Sequence, residues 1–379
     1  MVSLGTHLTV LAGPTVPLPL PGPLAGRLKA ATVNESDSER SAFDLTFDAG
    51  RSGPSALFDV PMLQTWPLQP GARVSLVLTI GAVPTVIADG FVSRIDLTPG
   101  QGAGGATVVV ICEDVTRLLA REEVNREWPL DDYPQVLAIL GPYAAQGVLP
   151  MAFPPIDMEP PLPIERVPQQ RGTDLAHLED LALRHGYVTY ATPGPAPGTS
   201  SFYWGPPIRV GLPQPAITVD QTPYTNVTGP PTFRLDTATP VQVVGSVRDA
   251  RTSSDIPVRT GPPLRLPLSA MPLSVTNAAD TRIRLVEQAG SSAVGTMARA
   301  QAEVDRGADA VVAEGELDGA RYRGALRPRA LVGVRGAGWS HDGLWYVSKV
   351  VHKIRPGSYT QAFTLRRDGY GSTVPAVLP

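Results

Sequence analysis

The sequence predicts a mainly β protein with a helical, α+β region in the middle, and three observations carry that prediction. Runs that alternate apolar and polar residues occupy both ends of the chain, at residues 43–47, 74–80 and 90–97 early and 344–354 and 359–367 late. Alternation with a period of two places successive side chains on opposite faces, which marks strands. Proline and glycine, at 41 and 37 of 379 residues, fall between the apolar runs, so they read as turns. The clearest helix lies between the two β-rich ends. In Thr173-Asp-Leu-Ala-His-Leu-Glu-Asp-Leu-Ala-Leu-Arg-His-Gly186, Leu175, Leu178, Leu181 and Ala182 share one face and Gly186 is the stop.

Taken in order, the first 112 residues read as β, as a sandwich or small barrel, and close on the apolar strand Val108-Val-Val-Ile-Cys112. Cys112 is a lone cysteine, so no internal disulfide forms, and its neighbours make it a buried small hydrophobe. Pro14, Pro17, Pro19, Pro21 and Pro23 form an irregular arm after a first strand. The N-terminus lacks the basic region of a signal peptide, which gives an expectation of cytoplasmic synthesis. A short helix is expected after Glu113, with Asp114 as its cap, and another from Asp131 to Gly141 with Pro134 in its first turn. Seven prolines make residues 150–168 an extended connector. Residues 187–190 and 201–204 form a hairpin, 241–247 a strand, and 252–278 a turn-rich stretch. Residues 280–287 start either a helix or a strand, 293–306 are helical, and 310–317 return to β. Pro70-Gly-Ala-Arg-Val and Pro328-Arg-Ala-Leu-Val each lead from a turn into a strand, a faint internal repeat.

No residue pattern points to catalysis. His177 and His185 are eight apart on one helix, whereas a zinc helix needs a four-residue spacing with an intervening Glu. Ser340-His341-Asp342 are adjacent, and triads are assembled from separated elements. Asp157 and Glu159, the one pair that could serve a glycosidase, sit two apart in the proline connector. His352 lies on an apolar strand face and is expected to pack. Gly102-Ala-Gly-Gly105 is a hairpin tip with no phosphate-loop pattern. Neither a cofactor nor a metal is expected, and the chain is read as not an enzyme. A net charge of −3 argues against nucleic acid as the main partner, and no apolar run approaches the roughly 18 residues of a membrane span.

The C-terminal order is distinctive: Leu326-Arg-Pro328, a strand, Gly336-Ala-Gly338, Gly343-Leu-Trp-Tyr-Val347, Val350-Val-His352-Lys-Ile354, Gly357-Ser-Tyr-Thr360 and Phe363-Thr-Leu-Arg-Arg367. It resembles the late control gene D family, the baseplate hubs of contractile phage tails and phage-like injection systems, related to the hub half of VgrG. The resemblance implies two tube-like β-barrel or sandwich domains with an α+β insertion. It also implies a homotrimeric ring that adapts a hexameric inner tube to a trimeric spike on a separate chain. The implied organisation is 1–120 for the first tube-like domain, 121–208 for the α+β insertion and 209–280 for the start of the second β domain. Residues 281–308 are then a helix, and 309–379 complete that domain with a C-terminal tail. Expected partners are further copies of the chain, the spike, the inner tube and other baseplate proteins. The chain departs from the family where relatives often carry Leu-x-Pro-Gly, since Arg329 stands at the glycine position. Lys349, Lys353, Arg355, Arg366 and Arg367 form the candidate subunit interface, with a solvated sheet face as the plainer alternative. The rival functions are a cell-wall hydrolase and a carbohydrate-binding module.

Overall fold

The computed structural model describes residues 5–14, 16–49, 67–99, 105–155, 168–235, 241–248, 254–276, 282–289 and 293–374. The first part holds β1 (Thr6–Gly13), β2 (Leu18–Pro19), β3 (Leu28–Ser36), β4 (Ala42–Asp48), β5 (Arg73–Ile80), β6 (Val83–Thr98) and β7 (Thr107–Asp114). They pair in the order β3-β4-β7-β6-β5-β1-β2, antiparallel throughout. Alternate residues point inward, as the sequence pattern requires, and Leu45, Phe47, Leu76, Leu78, Val108 and Cys112 are fully buried. Burial pushes the Cys112 thiol well above its ordinary range, so it is inert packing.

The middle region comprises β8 (Glu123–Glu127), α1 (Asp132–Leu140), β9 (Val148–Ala152), β10 (Gln169–Thr173), α2 (Asp174–Arg184), β11 (Val188–Pro193) and β12 (Ser200–Gly205). Thr173 caps α2 by accepting from Ala176 N at 3.2 Å, and Gly186 ends it in a left-handed conformation at φ 67°. Leu175, Leu178, Leu181 and Ala182 are buried against Val136, Leu140, Phe202 and Trp204, as the helical spacing predicts. The hairpin β11–β12 forms with Tyr190 opposite Tyr203, and β9 adds to it in parallel. The expected helix after Glu113 is a single turn, Thr116–Leu119. Asp114 closes it from outside, accepting from Thr116 N at 3.0 Å.

The last part holds β13 (Gln214–Thr218), β14 (Thr232–Leu235), β15 (Val241–Arg248), β16 (Asp255–Arg259), β17 (Ser269–Pro272), β18 (Arg282–Ala289) and α3 (Ala293–Gly307). It ends with β19 (Val311–Asp318), β20 (Leu331–Arg335), β21 (Gly343–Arg355), β22 (Ser358–Arg367) and β23 (Gly369–Ser372). The stretch that read as helix or strand is the strand β18, parallel to β15. Beneath α3, Val243, Val247 and Val258 pack on Ala300 and Val304. The main strands pair as β14-β19-β22-β21, and β21 then pairs with β3, so one sheet runs through both ends of the chain. This is the mainly β fold with an α+β middle that the sequence implied. The described strands close no barrel.

The sequence pattern alone puts Tyr346, Val350 and Ile354 on one face of β21. The structure separates them. A bulge at Ser348 inserts one residue between the pairs Val347–Leu365 and Lys349–Thr364. Trp345, Val347 and Val350 therefore share the C-terminal core, while Tyr346 packs with Leu268 and Leu331. Ile354 reaches the N-terminal core instead.

The same bulge identifies the repeat. In β6 it falls between Val92 and Arg94, at Ser93. Ser93 Oγ donates to Ile111 O at 3.1 Å, and Ser348 Oγ donates to Thr364 O at 3.0 Å. Gly71 N donates to Val92 O and Val92 N to Ala72 O. Likewise Arg329 N donates to Val347 O and Val347 N to Ala330 O. Strands β4, β7, β6 and β5 are thus equivalent to β19, β22, β21 and β20.

A buried ion pair bolts the middle region to the N-terminal sheet. Asp89 accepts from Arg73 Nε and Nη2 at 3.1 and 2.6 Å, from Ser75 Oγ at 2.5 Å and from Ser200 Oγ at 2.7 Å. Arg73 also donates to Gln146 O. Replacing Asp89 with Ala strands a desolvated guanidinium and is expected to cost about 3–5 kcal/mol of stability. Urea denaturation measures this, and an unchanged midpoint would contradict it.

Candidate functional site: a charged cleft and two open sheet edges

A cleft of about 520 Å³ opens where the end of β3, the end of β7, α2, β11 and the β21–β22 hairpin converge. Ser38, Glu39, Arg40 and Leu183 form its exposed rim, and Asp114, Leu175, Phe202, Asp309 and Tyr346 its buried floor. Most of its acids are engaged. Asp309 lies 2.7 Å from Arg209 and 2.6 Å from Arg265, Glu179 pairs with Arg40 at 3.4 Å, and Glu39 with Lys349 at 3.3 Å. Asp114 accepts from Ser41 N at 3.0 Å and from Thr116. Two arginines lie flat on the aromatic walls: Arg209 is 4.0 Å from the Tyr346 ring centroid and Arg329 is 4.1 Å from that of Tyr190.

Arg329 is the position where the sequence departs from Leu-x-Pro-Gly. Its φ is 63°, the left-handed conformation in which glycine is unstrained and a side chain costs about 1–2 kcal/mol. The equivalent residue in the other repeat is Gly71, at φ 84°. The turn geometry is therefore kept without the glycine. The guanidinium it carries donates to Ser36 O and leaves Nε buried without a partner.

The five basic residues expected at an interface do not form one patch. Lys349 pairs with Glu39, and Lys353 lies 3.1 Å from Glu316. Both lysines flank the β21–β3 junction inside the chain. Arg355 is exposed at the hairpin turn, and Arg366 is exposed in the cleft. Arg367 corrects the sequence expectation because it is fully buried. It donates to the carbonyls of Gly369, Asp342 and Ser340 at 2.9, 2.9 and 2.6 Å, and stacks 4.5 Å from the Trp345 ring centroid. Burial lowers its pKa to about 10. Asp157 and Glu159, and all but Gly105 of the glycine-rich tip, lie outside the described residues.

Four of the five histidines are tied into packing, and His7 is exposed on β1. His177 meets Gln135 at 3.1 Å and His185 meets Asp132 at 3.0 Å, locking α2 to α1. His341 stacks on Phe233 with centroids 4.2 Å apart. His352, as expected, is buried, with Nδ1 2.9 Å from Tyr359 Oη and Nε2 3.6 Å from Glu35. Burial alone raises the Glu35 carboxyl, but Arg327 at 2.7 Å, helped by His352 and Arg329, outweighs it and holds the pKa below 4.5. Arg327 also donates to the carbonyls of Val86 and Ile87.

Two strand edges are open. Residues 94–98 of β6 pair with β7 on one side and with no strand on the other, and β14 pairs with β19 alone, among the described residues. Leu97 is 41% and Leu235 37% exposed there.

A fold with two repeated antiparallel sheets joined into one, and an α+β insertion between them, is that of phage tail proteins. The 43 kDa tail protein of prophage MuSo2 from Shewanella oneidensis matches with a TM-score of 0.62 at 14% identity, over 95% of this chain and 98% of that one. A tail protein from Neisseria meningitidis gives 0.59 at 13% identity, over 96% and 97%. A chain of the Francisella PdpA–VgrG complex gives 0.56 at 10% identity, over 100% of this chain and 60% of that one. At these identities the likeness establishes the fold. No family model and no curated protein sequence matches the chain.

Three outcomes are expected. Burial raises the Asp37 carboxyl above its ordinary 3.8, despite Arg366, Arg209 and Arg329 nearby, so its ionised form costs stability at neutral pH. Asp37→Asn should raise the Tm at pH 7, with the gain vanishing as pH falls through the raised pKa toward 3.8. A gain that grows in acid would contradict this. Arg367→Leu orphans three carbonyls and should cost about 2–4 kcal/mol by denaturant titration. Arg355→Ala should stay within about 0.5 kcal/mol.

Proposed function

We propose that this protein is a structural baseplate hub subunit of a contractile phage tail or phage-like contractile injection system. Three copies form a ring that adapts a hexameric inner tube to a trimeric spike. The carrying observation is the full-length likeness to tail proteins, up to 95% of this chain against 98% of the Shewanella protein. The internal repeat supports the stoichiometry. Each chain brings two equivalent sheets, so three chains bring six, and head-to-tail contacts that close make rings.

The two open edges supply such a contact. Within the chain, β21 of the second repeat pairs with β3 of the first. The equivalents of β21 and β3 are β6 and β14, and both have a free edge among the described residues. Thr32 faces Asp44 as Thr232 faces Glu314, which aligns β3 with β14. Carrying the β21–β3 register to two copies sets Ile95 opposite Leu235, Asp96 opposite Arg234 and Leu97 opposite Phe233. Charge and apolarity match at each position.

The test is sedimentation of a native lysate with mass spectrometry of the pellet. This chain should pellet with sheath, tube and spike at half the copy number of one tube ring. Intact rods that pellet without it would defeat the proposal. Asp96→Arg or Arg234→Asp alone should reduce incorporation, and the two together should restore it. A double variant no better than either single one would reject this pairing.

A further inference from the structure

The cleft beside β11 is lined by five arginines and five acids, but the two sets are not fully paired. With Asp309, Glu179, Glu39 and Asp114 already engaged, Asp37 is the remaining acid. Arg329 and Arg366 lie near it, and neither they nor Arg306, also in the lining, form an ion pair with a carboxylate among the described residues. Arg306 Nε donates to Ala302 O at 3.2 Å, and the Arg366 guanidinium makes no hydrogen bond or ion pair to another described residue. The Arg329 Nε is buried without a partner, on a residue held in a strained conformation. Buried polar groups of this kind are costly unless something completes them.

The wall of the cleft is a strand edge. Among the described residues, strand β11 is the outer member of its sheet, pairing with β12 on one side and with no strand on the other. Val188, Thr189, Tyr190 and Ala191 all line the cleft. A strand that turned one face to a cleft would contribute every second residue. Consecutive residues of both parities mean that it presents its edge, with backbone N–H and C=O groups directed outward.

We infer that this cleft is a docking site for an extended acidic segment of another polypeptide, which adds a strand to the edge of β11 and sets its carboxylates among Arg306, Arg329 and Arg366. Backbone pairing along an edge supplies affinity without sequence demands, and the arginines select for acidic side chains. The volume, about 520 Å³, suits a few residues of extended chain. Charge complementarity favours a peptide over a basic or neutral partner, and the open edge favours it over a small oxyanion, which has no use for a row of amides. The inference stands on the cleft alone and does not require the hub reading.

The test uses the full chain and the peptide Ac-Glu-Val-Glu-Val-Glu-NH2, with its Gln and Lys counterparts as controls and inorganic phosphate as a competitor. Calorimetry gives affinity, and hydrogen exchange reads the amides of residues 188–191. The Glu peptide should bind at or below about 1 mM and slow exchange at those amides, with the Gln peptide roughly tenfold weaker or more. Arg366→Glu and Arg306→Glu, both at exposed positions, should weaken binding about tenfold or more, and Asp37→Asn should tighten it. Folding of each variant is checked by circular dichroism. Equal binding of Glu and Gln peptides would overturn the charge selection. Phosphate that competes at the same arginines with no protection at 188–191 would make this a small-oxyanion site and overturn the strand addition. An absence of binding to the folded chain at about 1 mM peptide would overturn both.

Discussion

Six registered pairs between β21 and β3, from Lys349–Ser36 to Ile354–Ala31, convert two repeated sheets into one continuous surface. The pairing works because the bulge at Ser348 lets one strand serve two cores. Ahead of it, Trp345 and Val347 fill the C-terminal core; beyond it, Val350 still does so, while Ile354, with Tyr359 from β22, fills the N-terminal one. A strand with unbroken alternation would have sent the second set to the wrong face. Glu35 and Arg327 fasten the same junction from beneath, at 2.7 Å and with little solvent. The cleft exists because the two sheets are held at this separation, since its walls come from both.

Arginine carries much of the polar work in this chain. Arg73 holds the middle region to the N-terminal sheet, Arg327 reaches from the C-terminal part to backbone carbonyls of β6, and Arg367 ties β22 to the turn at Ser340 and Asp342. A planar guanidinium suits these places because it donates in several fixed directions and stacks on rings. Arg367 sits where the other repeat carries Asp114, so the equivalent strand ends close buried turns with opposite charges. The repeat thus preserves backbone geometry more faithfully than side-chain chemistry.

Much of this architecture is legible in the sequence. Thr173 and Gly186 announce both ends of α2, and alternation finds β4, β5, β6 and β22. The repeated Pro-x-Ala before β5 and β20 marks equivalent turns, and His352 reads correctly as packing. The bulge at Ser348 is not legible, because a period of two continues through it in composition if not in space. Arg367 looks exposed beside Arg366 and Arg355, yet burial is decided by the turn at Ser340, 27 residues away. The cleft is hidden for the same reason, being built from residues between Asp37 and Arg366. The one local signal was Arg329 standing where glycine is unstrained, which marks a side chain retained at a conformational cost.

The junction of β21 with β3 also constrains how the chain comes into being. Glu35 and Arg327 are 292 residues apart, so the inner edge of β3 lacks its β21 partner until that intervening stretch has been made. At about 5–20 residues per second, the wait during translation is roughly 15–60 s. Throughout that interval a β-competent edge is available to any neighbouring nascent chain, including an identical one on the same polysome. Synthesis of β21 is what ends this exposure. A ribosome that stalls or terminates early releases a chain whose N-terminal half is folded on one side and adhesive on the other.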